Sequence, residues 1–373
     1  MNIPLTDLKA QYISIKNEVD DVIHRVLEQG QFILGPEVKS FEEEMAVYCG
    51  TKFAVGVASG TDALYLALLS CGVKSGDEVI TTPFTFIATT EAIINCGAIP
   101  VFVDIEPQTY NMDPLQIESK ITSKTKAIIP VHLYGKPASM TKMLAIGAIY
   151  NLKIIEDCAQ AIGAEYKGIK VGSISNVGCL SFFPAKILGA YGDGGMVITN
   201  DSKIAEKVRM LRVHGAKSSY YHVYSGFNSR LDSIHAAVLR VKLKYIDIWI
   251  KQRRDNASLY SQLFEQIDGI ETPYTKDHYR HAFNYYTIRL KDPRLDRNEL
   301  RKHLESKGIQ TMVYYPLSLH LQEVYKSLGY KLGDFPQSES AQEQVLSLPM
   351  YPELSNEQIG EIVYEIKRFS NEL

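Results

Sequence analysis

FAVGVASGTDALYLALLSCGVKSGDEVITT, residues 53–82, decides the fold. Its two ends, FAVGVA and EVITT, are short apolar runs without the polar alternation of a strand that has one wet face. Between them a helical segment starts at about Thr61, straight after Ser59-Gly60. Outward from this unit the pattern repeats. Helical segments near residues 88–96, 114–120 and 140–150 alternate with the runs IPVFVDI, AIIPVHL and KIIEDC. Buried strands separated by helices predict an α/β fold, a mostly parallel central sheet with helices on both faces. Upstream, residues 15–29 have helical spacing with Gly30 as the stop. A second helix follows Gly35-Pro36, with Val38, Phe41, Met45 and Tyr48 on one face. VGCLSFF and GMVIT are further strands, joined by PAKILGAYGDG rather than by a long helix.

From about residue 246 the texture changes. A Lys- and Arg-rich helix, YIDIWIKQRRDNASLYSQLF, leads to YYTIRL, a helix near 297–306, the extended TMVYYP, and a terminal helix near 356–368. We therefore expect a large α/β domain at 1–245 and a small C-terminal α+β domain at 246–373, lengths ample for real cores. Forty basic against forty-three acidic side chains give a net charge of −3, which argues against nucleic acid or an anionic membrane as partner. Five scattered cysteines without CxxC spacing read as reduced thiols, not as a disulfide frame or a zinc site, so no metal is expected. No signal peptide and no bilayer-length apolar run stand out, and the expected location is the cytoplasm.

In open α/β sheets, ligands sit beyond the carboxyl ends of the strands. After FAVGVA come Gly60 and Thr61 at a helix start, either an ordinary N-cap or a phosphate cradle. After EVITT comes Pro83-Phe84-Thr85-Phe86, aromatics that fill a core or stack on a planar ligand. After KIIE comes Asp157, an acid at the end of a buried strand, with Gln160 close behind. Lys186 stands between Phe182-Phe183 and Ile187-Leu188, where a hydrated charge is costly unless paired or lost. Singly these signals are weak. Together they describe what pyridoxal 5'-phosphate requires: a lysine amine for its aldehyde, an acid at its pyridine nitrogen, a stacking ring, and donors for its phosphate, with Ser181 near enough to add one.

The chain resembles the DegT/StrS family of nucleotide-sugar aminotransferases, nearly end to end. The likeness is carried by QFILGPEVKSFEEEMA, SGTDAL, EVITTPFTFIATTEAI, TKAIIPVHLYG, IIEDCAQ, SFFPAK, GDGGMVITND, RVHG, GFNSRLDSIHAAVL and VLSLPMYPEL. It implies the fold-type-I aminotransferase architecture and a homodimer whose active sites are built from both subunits. It implies Lys186 as the Schiff-base lysine and proton shuttle, Asp157 at the pyridine nitrogen, Gln160 at the ring hydroxyl and Phe86 on the ring face. Gly60, Thr61 and Ser181 would hold the phosphate, joined by Asn228 from the second chain. The implied reaction is ping-pong, with glutamate as amine donor and a nucleotide-linked keto sugar as acceptor. Two positions depart from the family pattern: Ile187, where Asn is frequent, and Cys158, where Ala is common. Neither removes a group the chemistry needs.

The sugar is named by resemblance alone: the C-3 ketone of a UDP-2-acetamido-2-deoxy-3-oxo-hexose, for lipopolysaccharide or surface-glycan amino sugars. A dTDP-linked 3-keto-6-deoxy sugar comes second and a 4-keto sugar third. Tyr314 and Tyr315, before Pro316, are candidate substrate contacts; His320 is either a sugar contact or a satisfied structural histidine, and Arg230 either meets an anionic group or forms an interface salt bridge. The loop Tyr220-Tyr221-His222 belongs either to the substrate region or to an interface. A nicotinamide dehydrogenase is disfavoured by the missing GxGxxG. A dehydratase with histidine in place of the lysine is disfavoured by Lys186, and a non-catalytic regulator by the intact Asp157, Gln160 and Lys186.

Overall fold

The computed structural model describes residues 2–275 and 279–371. Its central sheet comprises β1 (Phe53–Val57), β2 (Glu78–Thr81), β3 (Ile99–Phe102), β4 (Thr125–Ile128), β5 (Lys153–Asp157), β6 (Val177–Ser181) and β7 (Gly195–Thr199). They lie in the order β1-β7-β6-β5-β4-β2-β3. The pairs from β3 through β6 are parallel, and β7 runs antiparallel to both of its neighbours, β6 and β1. The sheet is thus mostly parallel, as the uninterrupted apolar runs predict.

Neighbouring residues on each strand enter opposite cores. Ala54, Ile80, Ile128, Ile154 and Ile198 pack on one face, against Phe41, Met45, Met140, Met143 and Leu239. Val55, Val79, Ala127, Ile155 and Val197 pack on the other, against Leu64, Leu68, Ile93, Ile204 and Val208. Two-sided burial leaves no position for a polar alternation, which is why these strands read as solid apolar runs. Because β7 is antiparallel to β6, the loop 182–194 closes the pair without a crossover helix.

A second, antiparallel sheet is formed by β8 (Ile270–Glu271), β9 (Tyr286–Leu290) and β10 (Val345–Leu348). Helices Ile246–Phe264, Arg297–Ser306 and Asn356–Asn371 cover it through Tyr260, Phe264, Leu300, Leu304, Ile362 and Ile366. Ile3 joins this second core and pairs with Ile309. Phe84, Val131 and Tyr134, from loops at the carboxyl edge of the large sheet, are buried in it too, so the two cores meet along that edge.

Two local expectations change. The helix expected at 114–120 is only a 3-10 turn, Glu118–Lys120. Asp113 accepts the Leu115 N–H at 2.9 Å, Leu115 is exposed and Ile117 is buried, so no apolar stripe supports a longer helix. The TMVYYP segment pairs only through a bridge from Met312 to Ser347. Helices Ser202–Leu211, Ser233–Leu243 and Pro336–Gln344 lie beyond what the pattern had indicated. Among the described residues no helix is long and apolar enough to cross a membrane.

Gly178 in β6 tests the tightness of this packing. A Cβ there would lie 2.5 Å from the Cα and carbonyl oxygen of Gly172. Gly178→Ala is expected to destabilise the protein by about 1–3 kcal/mol, as overpacking does. Urea unfolding measures it, and wild-type stability in the variant would mean that the Gly172 turn gives way freely.

Candidate active site

The carboxyl ends of β1, β2, β4, β5 and β6 open onto one cavity of about 520 Å³. Ser59, Gly60 and Thr61 follow β1; Thr85, Phe86 and Thr89 follow β2; Val131 follows β4. Asp157, Ala159 and Gln160 come from β5, while Ser181, Phe183 and Lys186 come from β6 and its loop. Asp193 and Gly194 precede β7, and Tyr285, Val313, Tyr314 and Tyr315 close the far side.

Ser59 caps helix Gly60–Ser70, accepting the Asp62 N–H at 3.0 Å, so the cap anticipated from the sequence is present. It leaves the amides of the first turn and the Thr61 hydroxyl at the cavity, at the positive end of the helix. Gly60 is forced: a Cβ would lie 2.6 Å from the Ser181 Cβ, so only bare backbone lets Ser181 share that spot. Gly195 presses from behind, since a Cβ there would meet the Ser59 carbonyl oxygen at 2.1 Å.

Asp157 is buried, and burial pushes its carboxyl above the ordinary carboxylate range. The Ala159 N–H at 3.1 Å, the Thr89 hydroxyl at 2.8 Å and the nearby Lys186 oppose that rise. Lys186 is half-buried, and desolvation pulls its amine down to about 8 against the pull of Asp157. Gln160 is held at both ends: its Oε1 accepts the Tyr134 N–H at 2.7 Å and its Nε2 donates to the Tyr315 hydroxyl at 3.0 Å. The carbonyl is thus committed to backbone, and the amide N–H groups face Tyr315 and the cavity. Phe86 is exposed and lies 6.2 Å from the Tyr315 ring at 34°, leaving one aromatic face open.

Behind Asp157 sits a group of His132, Glu156 and Cys158 whose ligand atoms lie within 4.8 Å of one another. Its bonding is that of a strut. Glu156 accepts from the backbone of Gly172, Ile174 and Ser175, from the Ser175 hydroxyl, and from His132 Nε2. His132 Nδ1 accepts the Ala138 N–H at 3.0 Å, so its proton is on Nε2, and its own backbone N–H bonds the Asp157 carbonyl. The Glu156 oxygens are saturated, and the strut fixes the strand end that presents Asp157.

The structure therefore brings Gly60, Thr61, Phe86, Asp157, Gln160, Ser181, Lys186, Tyr314 and Tyr315 to one cavity. Three sequence candidates stand elsewhere in the single chain. Asn228 is exposed and bridges backbone with Val213, and Arg230 is half-buried; neither is among the described residues lining the cavity. His320 is buried against Phe335 and bonded to Glu339 at 3.0 Å, the environment of a core histidine. The loop at 220–222 is likewise exposed and outside the cavity wall. Sequence reasoning missed Thr85, Thr89, Tyr134 and Tyr285. Thr89 alone carried a local signal, as a polar residue in the first helical turn after a strand.

Residues 13–367 match the model of the DegT/DnrJ/EryC1/StrS aminotransferase family. A Geobacillus stearothermophilus protein named pleiotropic regulatory protein is 51% identical, over 99% of both chains. The UDP-N-acetyl-3-dehydro-α-D-glucosamine 3-aminotransferase of Acidithiobacillus ferrooxidans is 43% identical, over 98% of this chain and 97% of its own. The crystal structure of S. venezuelae DesV in complex with a ketimine intermediate superposes with a TM-score of 0.97 at 41% identity, over 100% of this chain and 99% of that one.

The cavity fits pyridoxal phosphate on its own donors. A glycine cradle that a Cβ would fill adjoins Ser181, and a buried acid, an amine and an exposed aromatic ring line the same cavity. The lowered Lys186 amine gives a first test. It loses its proton around pH 8, whereas an ordinary lysine does so around 10.4. Capture of pyridoxal phosphate by the apoprotein, followed by stopped-flow absorbance, is expected to accelerate with pH through a midpoint near 8 and to level off above it. A plateau reached only above pH 10 would contradict this.

Proposed function

Because the chain belongs to the DegT/DnrJ/EryC1/StrS aminotransferase family and is a pyridoxal-phosphate-dependent aminotransferase, we propose that it moves the amine of glutamate to the C-3 ketone of a UDP-2-acetamido-2-deoxy-3-oxo-hexose. One observation carries the chemistry: Lys186 and Asp157 line the same cavity, with Gln160 and the Gly60, Thr61 and Ser181 cradle around them. The sugar is supported by the named activity of the A. ferrooxidans relative, and dTDP-linked 3-keto-6-deoxy sugars rank second.

Pyridoxal phosphate, when bound, supplies a carbonyl for the incoming amine and an electron-poor ring that takes up negative charge from the reacting carbon. The chain's residues do the rest. Gly60, Thr61 and Ser181 would hold the phosphate through amides and hydroxyls, and Phe86 would cover the ring. Asp157 would keep a proton on the ring nitrogen. Gln160, with its carbonyl committed to Tyr134, would offer its amide N–H to the ring hydroxyl. Lys186 would hold the cofactor through its amine and, when that amine is free, would take and return the substrate proton at Nζ, where its lowered basicity suits both directions. Tyr285, Tyr314 and Tyr315 form the wall that meets the sugar.

The same proposal includes a homodimer. In one chain Leu27, Phe32, Ile33, Phe86 and Phe183 are exposed, and Asn228 stands outside the cavity it is expected to complete from a second copy. All five cysteines are free and buried, in keeping with a reducing cytoplasm.

A panel of UDP- and dTDP-linked keto sugars with glutamate, read by 2-oxoglutarate release and product mass, tests the assignment. The purified protein is expected to be yellow and to aminate the UDP-2-acetamido-3-keto sugar fastest, and Lys186→Ala to abolish turnover. Preference for a dTDP sugar would move the substrate to the second choice. A colourless protein that consumes no glutamate would sink the proposal.

A further inference from the structure

Among the described residues no basic side chain bonds the Asp157 carboxylate; its charge is met by two neutral donors. Oδ1 accepts the Ala159 N–H at 3.1 Å, and Oδ2 accepts the Thr89 hydroxyl at 2.8 Å. Thr89 lies in the first turn of helix Ala88–Asn95, almost fully buried, and its Oγ1 is 3.2 Å from that of Thr85, equally buried. The direction of this chain is fixed. An ionised carboxylate only accepts, so the Thr89 proton goes to Asp157, and the Thr89 oxygen is left to accept the proton of Thr85. Both threonines line the cavity.

The adjoining residue shows that this engagement is not general to the helix start. Thr90 is fully buried, yet its hydroxyl has no partner among the described residues. Burial favours the neutral acid at Asp157, and a buried acid facing a protonated pyridine draws that proton toward itself. Hydrogen bonds donated to the carboxylate oppose this, and those to a charged acceptor are the strong kind. Lys186 is the other charged group acting on Asp157 in the same sense, while the titratable His132 donates its backbone N–H to the Asp157 carbonyl.

We propose that Thr89, backed by Thr85, is a positioning residue that orients the Asp157 carboxylate and keeps the shared proton on the cofactor's ring nitrogen. This rests on Asp157 meeting that nitrogen, as proposed above.

The test uses holoenzyme reconstituted with pyridoxal phosphate labelled with 15N in the ring, whose NMR shift separates protonated from neutral pyridine. The wild type is expected at the protonated position and Asp157→Asn at the neutral one. Thr89→Val is expected to move clearly toward neutral, with the proton equilibrium changed about 10-fold or more, the loss of one hydrogen bond to a charged group. Thr89→Ser should restore the wild-type shift, and Thr90→Val, which removes a hydroxyl without a partner, should leave it unchanged. If Thr89→Val does not fold, Thr85→Val decides, with a smaller move in the same direction. A wild-type shift in Thr89→Val, or in Thr85→Val where that variant decides, overturns the role of the threonines and leaves that of Asp157 intact. A neutral shift in the wild type, or a protonated one in Asp157→Asn, overturns the assignment of Asp157 and the proposal with it.

Discussion

A carboxylate buried at the end of a strand must be met by donors, and much of the site follows from meeting Asp157. Its backbone is pinned by the strut of His132 and Glu156, and its oxygens by Thr89 and Ala159. Those partners come from the loop after β4, the helix after β2, and the turn after β5 itself. The parallel sheet brings all three to one edge, because parallel strands deliver their carboxyl ends to the same side. The lone antiparallel strand, β7, then returns the chain close to β6 and leaves Lys186 on the connecting loop beside the acid.

Buried apolar strands and the motifs just after them were legible because both are local. Gly60, Thr61, Asp157, Gln160 and Lys186 each follow an apolar run within a few residues, and the position after a buried strand is a physical address. The helix expected near 140–150 is Met140–Tyr150, ended by Asn151 in the left-handed conformation. The segment at 114–120 was not, because its apolar spacing is too short to distinguish a helix from a turn with one buried side chain.

What stayed hidden depends on contacts between distant segments. Thr89 is 68 positions from the carboxylate it bonds, and Tyr134 offers Gln160 a backbone N–H, which no side-chain pattern announces. Tyr285 is an aromatic at the start of an ordinary strand until the fold turns it toward the cavity. His320 erred the other way. A histidine near a turn looks like a ligand in sequence, yet Glu339 and Phe335 enclose it.

The fit of Gly195 against the Ser59 carbonyl welds the helix start after β1 to the end of the loop that carries Lys186, with no room for even a methyl group. The opposite wall, Tyr285, Val313 and Tyr314, comes from the second core and is not part of that weld. One wall of the cavity can therefore shift with the second core while the joint between Ser59 and Gly195 holds the other.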